Sequence, residues 1–369
     1  MKRTFIYAVI LCLTAIACNK TEPIIQKNIS TDQAGMLSSI LSEDEMLTLT
    51  ELTISGPLNG SDFRILRNMA QNCSLSILDL KDATIVAGGN PININSDGTS
   101  CYLSDNDLST GVFISCTKLS SIVLPRNLKS IGDEAFSNCK KLSKIEWFEG
   151  LDSIGEQAFY KTALTGDILL PKSLRTIGRR AFFENQIEKV TIQSDITVPF
   201  YDTYYIIGGN SSFPNCEQLT EIIVEEGCTK LEIGFQGCSA LSSVSLPNTM
   251  THIGATSSTS CNYIFKDCES LHSISLPDGL QFIGTECFYG SGITEIEIPE
   301  SVQQIKKSAF ANTSIKTMKV KWNNPLAVNK NIFDGTNLEE STLYVPDGTL
   351  DSYKNHVAWG QFGIVLEEN

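Results

Sequence analysis

Histidine is scarce in this sequence, whose 369 residues include only His252, His272 and His356. Imidazole is the side chain that most often acts as a general acid, general base or metal ligand near neutral pH, so its scarcity removes most such sites. The sequence also lacks a glycine-rich phosphate loop, the CxxC and HExxH motifs, and the GxSxG nucleophile motif. These absences predict a protein that is not an enzyme and that holds no cofactor.

A calcium loop is also incomplete. Asp105-Asn106-Asp107 has the alternating acidic spacing of such a loop, but no glycine or distal glutamate follows in register. We therefore interpret these residues as a solvated turn, and we predict no metal site.

Basic residues are outnumbered, with 28 Lys and Arg against 42 Asp and Glu and a net charge of −14. Such a surface repels phosphate backbones, so we expect no nucleic-acid partner. Long apolar runs are missing beyond the N-terminus, which predicts no membrane-spanning helix. The hydrophobic fraction of 41% is nevertheless sufficient to fill a core, and this argues against a disordered chain.

The N-terminus has the pattern of an export signal. Lys2 and Arg3 precede an apolar run, residues 5–14, that is too short to span a bilayer as a stable helix. Ala15-Ile16-Ala17-Cys18 follows and resembles a bacterial lipobox, in which the cysteine is acylated and becomes the mature N-terminus. An ordinary signal peptide with an incidental cysteine is the alternative. We predict a lipoprotein signal peptide over 1–17, a lipid anchor on Cys18 and a polar tether over 18–30.

An internal repeat determines the predicted fold. Ten phenylalanines recur at spacings of 23, 23, 23, 31, 22, 30, 23, 22 and 23 residues. They are Phe113, Phe136, Phe159, Phe182, Phe213, Phe235, Phe265, Phe288, Phe310 and Phe333. The text around them also recurs, as in Leu119-x-x-Ile122-x-Leu124-Pro125 followed by Leu128-x-x-Ile131-Gly132. The alternation before proline predicts a strand, and the Ile-Gly pair predicts a second short extended segment that ends in a turn.

One such unit is too small to enclose its own apolar side chains, so the units must stack and bury them against their neighbours. We therefore predict an α/β-type repeat that is mostly β: a right-handed solenoid of about ten 23-residue units. Insertions near 193–212 and 255–264 interrupt the period. Residues 31–100 have strand spacing on both sides of an amphipathic segment that Ser61 could cap, which predicts a strand–helix–strand N-terminal cap.

The recurring LPxxLxxIGxxAFxxC text resembles the BspA-like (Treponema-pallidum-type) leucine-rich repeat family of surface and secreted proteins from host-associated bacteria. The resemblance covers residues 101–338, and residues 339–369 resemble the C-terminal cap of Bacteroides members. It implies a leucine-rich repeat solenoid that binds host or microbial surface molecules. With the N-terminal signal, this predicts a monomeric outer-membrane lipoprotein exposed on the cell surface.

Five repeats carry a cysteine three residues after the phenylalanine, namely Cys116, Cys139, Cys216, Cys238 and Cys268. In these five the next core residue lies six positions after the phenylalanine, and in the other five repeats it lies five positions after it. This correlation predicts that the cysteines, and Cys287 before Phe288, are buried packing residues. Four other cysteines, Cys73, Cys101, Cys228 and Cys261, are off this register, and a disulfide among them is left open.

Two surfaces are candidate ligand contacts. The outward strand positions are uncharged in two successive repeats, at Ser243, Ser245, Ser273 and Ser275, and small hydroxyls permit close approach of a ligand. The first insertion contributes the aromatic residues Tyr201, Tyr204 and Tyr205. The alternatives are that serine only keeps the sheet solvated and that the tyrosines only pin the loop. We expect a binding or adhesion protein for a protein or glycan ligand, or else an accessory partner in an outer-membrane complex.

Overall fold

The computed structural model describes residues 24–94, 100–199, 211–255 and 263–368. The strands, in chain order, are β1 (Gln26–Ser30), β2 (Glu51–Leu58), β3 (Ile77–Ile85), β4 (Asn93–Ile94), β5 (Ser100–Cys101), β6 (Asp107–Leu108), β7 (Ser121–Val123), β8 (Ser130–Ile131), β9 (Lys144–Glu146), β10 (Ser153–Ile154), β11 (Thr165–Leu170), β12 (Thr176–Ile177), β13 (Gln186–Ile192), β14 (Glu221–Val224), β15 (Lys230–Leu231), β16 (Ser243–Ser245), β17 (His252–Ile253), β18 (Phe282–Ile283), β19 (Glu295–Ile298), β20 (Gln304–Ile305), β21 (Thr317–Val320), β22 (Thr342–Pro346) and β23 (Ile364–Glu368). The helices are α1 (Leu37–Ile40), α2 (Glu43–Thr48), α3 (Gly60–Asn72) and α4 (Leu350–Lys354), with 3-10 turns at Lys330–Phe333 and Trp359–Gln361.

Parallel strands form two ladders along the repeats, which confirms the mostly β solenoid. The first ladder, from the L-x-x-I-x-L-P text, has three stretches: β1-β2-β3-β7-β9, β11-β13-β14-β16 and β19-β21-β22-β23. The second ladder, from the Ile-Gly text, consists of β12-β10-β8-β6 and β15-β17-β18-β20. Equivalent residues are in register, as where Ile122 lies opposite Leu78 on one side and Ile145 on the other. A regular unit therefore contributes one strand to each ladder, as the two apolar clusters of its sequence predict.

The repeated phenylalanines form a column of rings in the core. All ten side chains are buried, and successive ring centroids lie 4.4–6.4 Å apart with planes within 26° of parallel. Other aromatic rings close both ends of the column edge-on. Phe63 of α3 contacts Phe113 at 5.9 Å, and Trp359 and Phe362 contact Phe333 at 5.7 and 5.4 Å. The core is thus one continuous apolar stack.

The turn that carries each phenylalanine has an alternating backbone. Residues two before and two after the phenylalanine repeatedly adopt positive φ, as at Glu134 (54°) and Asn138 (60°) around Phe136. The amides of Glu134, Phe136 and Asn138 donate to carbonyl oxygens of the next repeat. The acceptors are Glu156, Ala158 and Tyr160, at 2.7–2.8 Å. Left-handed backbone is unfavourable for non-glycine residues. Here the hydrogen bonds between repeats compensate for this cost.

The cysteines of the repeat are buried, as predicted, but they also donate hydrogen bonds. The thiols of Cys139, Cys216, Cys238 and Cys268 donate to the phenylalanine carbonyl of the preceding repeat at 3.0–3.3 Å. Where cysteine is absent the same position can hold another donor. Asn185 Nδ2 donates to the Phe159 carbonyl, and Thr336 Oγ1 donates to the Phe310 carbonyl, both at 2.8 Å. In these repeats the small side chain at this position both packs and donates.

The N-terminal region differs from the prediction in two details. Residues 26–30 were predicted to be part of a polar tether, but they form β1, which pairs in parallel with β2. Ile29 alternates inward there and is buried, and this favours an ordered strand. The strand–helix–strand sequence β2-α3-β3 is present, but Asn59 caps α3 instead of Ser61. The Asn59 side chain accepts from the Ser61 amide, and Asp62 completes the capping box.

The C-terminal region covers the last phenylalanine with large apolar side chains. Tyr353 of α4 and Trp359 are fully buried, and Tyr353 Oη donates to the Trp322 carbonyl at 2.7 Å. The Trp359 indole donates to the Leu326 carbonyl at 2.9 Å. These hydrogen bonds satisfy the polar atoms of buried aromatic residues. This segment therefore both shields the end of the core and extends the first ladder through β22 and β23.

The role of the repeat cysteines as packed donors can be tested by stability. We expect Cys139→Ala to lower the free energy of unfolding by about 1–2 kcal/mol, because it leaves a cavity and removes a hydrogen bond to the Phe113 carbonyl. Cys139→Ser should lose less than Cys139→Ala, since the hydroxyl can still donate. The measurement is chemical denaturation under reducing conditions, with Cys73→Ala, at a half-buried site off the register, as control.

Equal effects of alanine at positions 139 and 73 would contradict this prediction. A disulfide between Cys116 and Cys139, detected by mass spectrometry of the untreated protein, would contradict it as well.

Candidate ligand-binding face

The first ladder exposes one side of the sheet to solvent, and we call this side the outer face. Alternate residues of each strand point outward, as predicted from the sequence. In β19 the outward Glu295 and Glu297 are exposed, whereas Ile296 and Ile298 between them are buried. Each repeat thus contributes two outward side chains, and the strand spacing of about 4.8 Å brings those of successive repeats side by side.

Some charged residues of the outer face form ion pairs with residues of other strands. Lys189 on β13 lies 2.9 Å from the carboxylate of Glu221 on β14. Lys319 on β21 reaches Glu368 of β23 at 2.6 Å. These exposed pairs contribute little to the free energy of unfolding, but they neutralise the surface locally.

The four predicted serines lie between the charged parts of the outer face, and all four are exposed. Ser243 and Ser245 are on β16, opposite Glu221 and Ile223 of β14. The segment with Ser273 and Ser275 does not form the predicted strand. Residues 271–277 are all described, and none of them belongs to a ladder. Its amides are therefore not engaged in the sheet. The structure places the serines on one face but interrupts the sheet within them.

Two groups of predicted site residues lie outside the described residues. The lipid-anchor residue Cys18 is one, and the aromatic residues Tyr201, Tyr204 and Tyr205 of the first insertion are the other. Of the second insertion, Tyr263 is described, and its ring lies 4.3 Å from the ammonium group of Lys266. The ring of Tyr289 lies 4.4 Å from the same ammonium group. This cation–π contact with two rings ties the end of that insertion to the next repeat.

The three histidines lie in separate segments of the fold. His252 lies on β17, His272 contacts the Gly292 carbonyl at 3.1 Å, and His356 accepts from the Ala358 amide near the C-terminus. Burial raises the pKa of the Cys268 and Cys287 thiols, which disfavours the reactive thiolate.

Within 24–94, 100–199, 211–255 and 263–368, no three His, Cys, Asp or Glu side chains gather in a way that could hold a metal ion. Across the same residues, no helix combines the length and apolar character that a membrane crossing requires.

A second interruption of the outer face was not predicted. In the repeat after Phe159, Ile168 follows Leu164 by four residues instead of three, and the register of β11 with β13 shifts at a β-bulge between Gly166 and Asp167, where Glu188 of β13 has no partner in the ladder. β11 pairs with β13 but not with β9. A cleft of about 350 Å³ opens between β9 and β11. The four-residue interval is readable in the sequence, and Asp167 and Leu169 on either side of Ile168 are exposed.

The bulge depends on the backbone of Gly166, which has φ +74°, and a Cβ there would meet no atom within 4 Å. We therefore expect Gly166→Ala to reduce the free energy of unfolding by about 1 kcal/mol through backbone strain alone. Gly279→Ala is the matched control, because a Cβ there meets only ordinary contacts at 3.5 and 3.9 Å and its φ is not positive. Urea denaturation of both variants gives the comparison, and equal stabilities would show that the bulge is not strained by a side chain.

Comparison with known proteins supports this architecture. A family model described as BspA type leucine-rich repeat region (6 copies) matches residues 104–205, 199–263 and 256–354. The crystal structure of a leucine-rich repeat protein from Bacteroides ovatus ATCC 8483 is similar, with 23% identity and a TM-score of 0.53 over 76% of this chain and 68% of that chain. The leucine-rich repeat protein of T. pallidum has 26% identity and a TM-score of 0.33 over 45% of this chain and 73% of that chain.

A search of curated proteins found no match. The family model, however, spans more than half of the sequence, and its repeats coincide with the stacked units of the structure. This chain belongs to the BspA type leucine-rich repeat family.

Proposed function

We propose that this protein is a cell-surface binding or adhesion lipoprotein that recognises a protein or glycan of a host or another microbe through its outer face. The observation that carries the proposal is the exposed, uncharged patch of four serines between charged parts of that face. Hydroxyl groups both donate and accept, and their small size lets a ligand approach the sheet. The rigid stack of repeats would hold these groups in fixed positions, which reduces the entropy lost on binding.

The N-terminal sequence supports the location. The lipobox-like Ala15-Ile16-Ala17-Cys18 follows a short apolar run, and acyl chains on Cys18 would hold the protein on the outer membrane. An exported lipoprotein with an acidic surface and a broad outer face is suited to contact with external partners. The alternative, an accessory partner in an outer-membrane complex, predicts capture of membrane proteins of the same cell instead of host proteins or glycans.

The anchor can be tested by fractionation. We expect Cys18→Ala to move the protein from the membrane fraction to the soluble fraction, because the acylated residue is lost. Metabolic labelling with an alkyne fatty acid should mark the wild type and not the variant. A variant that stays in membranes, together with an unlabelled wild type, would refute the lipid anchor.

The serine patch can be tested by adding bulk without disturbing the core. We expect Ser243→Arg with Ser273→Arg to abolish binding of the mature chain to ligands found on a glycan and host-protein array. Thermal unfolding should not change, because both side chains are exposed. Asn248→Arg is the control for each single serine substitution, since it adds one positive charge at an exposed turn residue outside the outer face.

Binding that survives both serine substitutions would place the site elsewhere. The first insertion would then be examined by replacing Tyr201, Tyr204 and Tyr205 together with serine. An array that captures nothing would count against the binding function itself.

A further inference from the structure

The cleft between β9 and β11 has polar walls and an apolar floor. Lys144 and Glu146 of β9 line one wall, and Thr165 and Asp167 of β11 line the other. Ile145, half-buried, and Ile168, 7% exposed, lie beneath them. The volume of about 350 Å³ is that of a small ligand or of one or two residues of a peptide, and not of an inserted strand.

The charged groups of the cleft differ from the paired Lys189 and Glu221 on the strands that follow. Lys144, Glu146 and Asp167 are exposed, and they form no ion pair within the part of the chain that the structure describes. Lys144 would lie opposite Asp167 if β9 and β11 paired in the register of the other repeats. β9 and β11 do not pair, because they belong to separate stretches of the ladder. The cleft consequently has two carboxylates and one ammonium group that are available to a ligand.

Backbone groups also face the cleft. The Lys144 amide donates to Ser120, and the Glu146 carbonyl accepts from Leu124, so both residues direct their backbone groups toward β7. Alternate residues of a parallel strand direct their backbone N–H and C=O groups to opposite sides. The N–H and C=O groups of Ile145 are therefore directed toward β11. The Trp147 indole donates to the Leu169 carbonyl at 3.0 Å and holds β9 and β11 at a fixed separation. The cleft is therefore a preformed site with an available backbone edge.

We propose that this cleft binds an arginine side chain of a partner protein. A guanidinium group can accept no hydrogen bond but donates five, which suits carboxylates on two facing walls. Its aliphatic stem suits the Ile145 and Ile168 floor. The two carboxylates outnumber Lys144, and the net charge of −14 also favours a basic partner. The inference rests on the proposed binding function, and it adds a site about four repeats away from the serine patch.

Short peptides that differ only in their central residue provide the test. Saturation-transfer NMR would measure binding of acetyl-Gly-Arg-Gly-amide to the mature chain, with the glutamate and leucine analogues for comparison. We expect the arginine peptide to bind most tightly and its affinity to fall with added salt. Glu146→Gln and Asp167→Asn should each weaken it about threefold to fivefold, the range of exposed charge pairs. Lys144→Gln should strengthen it, because a repulsive charge is removed.

Glu297→Gln is the matched control. Glu297 also points outward, but it is paired with Lys321 at 2.5 Å, so its substitution should leave peptide binding unchanged. Equal binding of the three peptides, no saturable binding of the arginine peptide, or weaker binding by Lys144→Gln would overturn the proposal.

The proposed binding function would still be supported if the Ser243 and Ser273 substitutions reduced the binding of array ligands. Failure of both experiments would remove the cleft and the proposed function together.

Discussion

The stacking of phenylalanine rings is the interaction on which the rest of this structure depends. Both strand ladders, and the hydrogen-bonded turns that carry the phenylalanines, repeat at the spacing of the rings. A unit that lost its phenylalanine would therefore lose the contact that aligns it with its neighbours. The two insertions show the strength of this constraint. Phe182 and Phe213 are 31 residues apart in sequence, yet their rings lie 4.4 Å apart, almost parallel. Extra residues are thus accommodated outside the column, because looping out a segment costs less than an internal cavity.

The tight turn around each phenylalanine leaves one carbonyl close to the next repeat, and this explains the cysteine pattern. A thiol, amide or hydroxyl that lies three residues after the phenylalanine of the next repeat donates to that carbonyl, as from Cys139, Asn185 and Thr336. A buried carbonyl without enough donors is costly, whereas a small donor fits within the column of repeats. Sequence spacing alone identified this position as buried. It did not reveal the hydrogen bond, because cysteine is most often interpreted as a small apolar residue.

The repeat sequence predicted the parts of the fold that arise from apolar periodicity, namely both strand ladders and the phenylalanine column. It did not predict the left-handed turn residues, since positions such as Glu134, Gln157 and Arg180 are not residue types that indicate positive φ. Hydrogen bonds between repeats impose that backbone, and they exist only after stacking. The interruption of the first ladder at residues 271–277 could not be predicted for a similar reason. The sequence there matches the repeat, but strand pairing also depends on where the adjacent units lie. The bulge at Gly166 could have been found from the four-residue interval between Leu164 and Ile168.

This contrast indicates where binding specificity can arise in such a protein. Inward positions are constrained by the column, so one repeat resembles the next and carries little that is specific to a ligand. Outward positions are constrained only by exposure, and charges that face a regular neighbour are neutralised by it, as Lys189 is by Glu221. Where the regular pairing fails, as between β9 and β11, charges on the two strands are not neutralised in this way. The bulge beside Asp167 and the unpaired serine segment are two such places, which is why departures from the repeat, and not the repeat itself, are the positions to examine for ligand contacts.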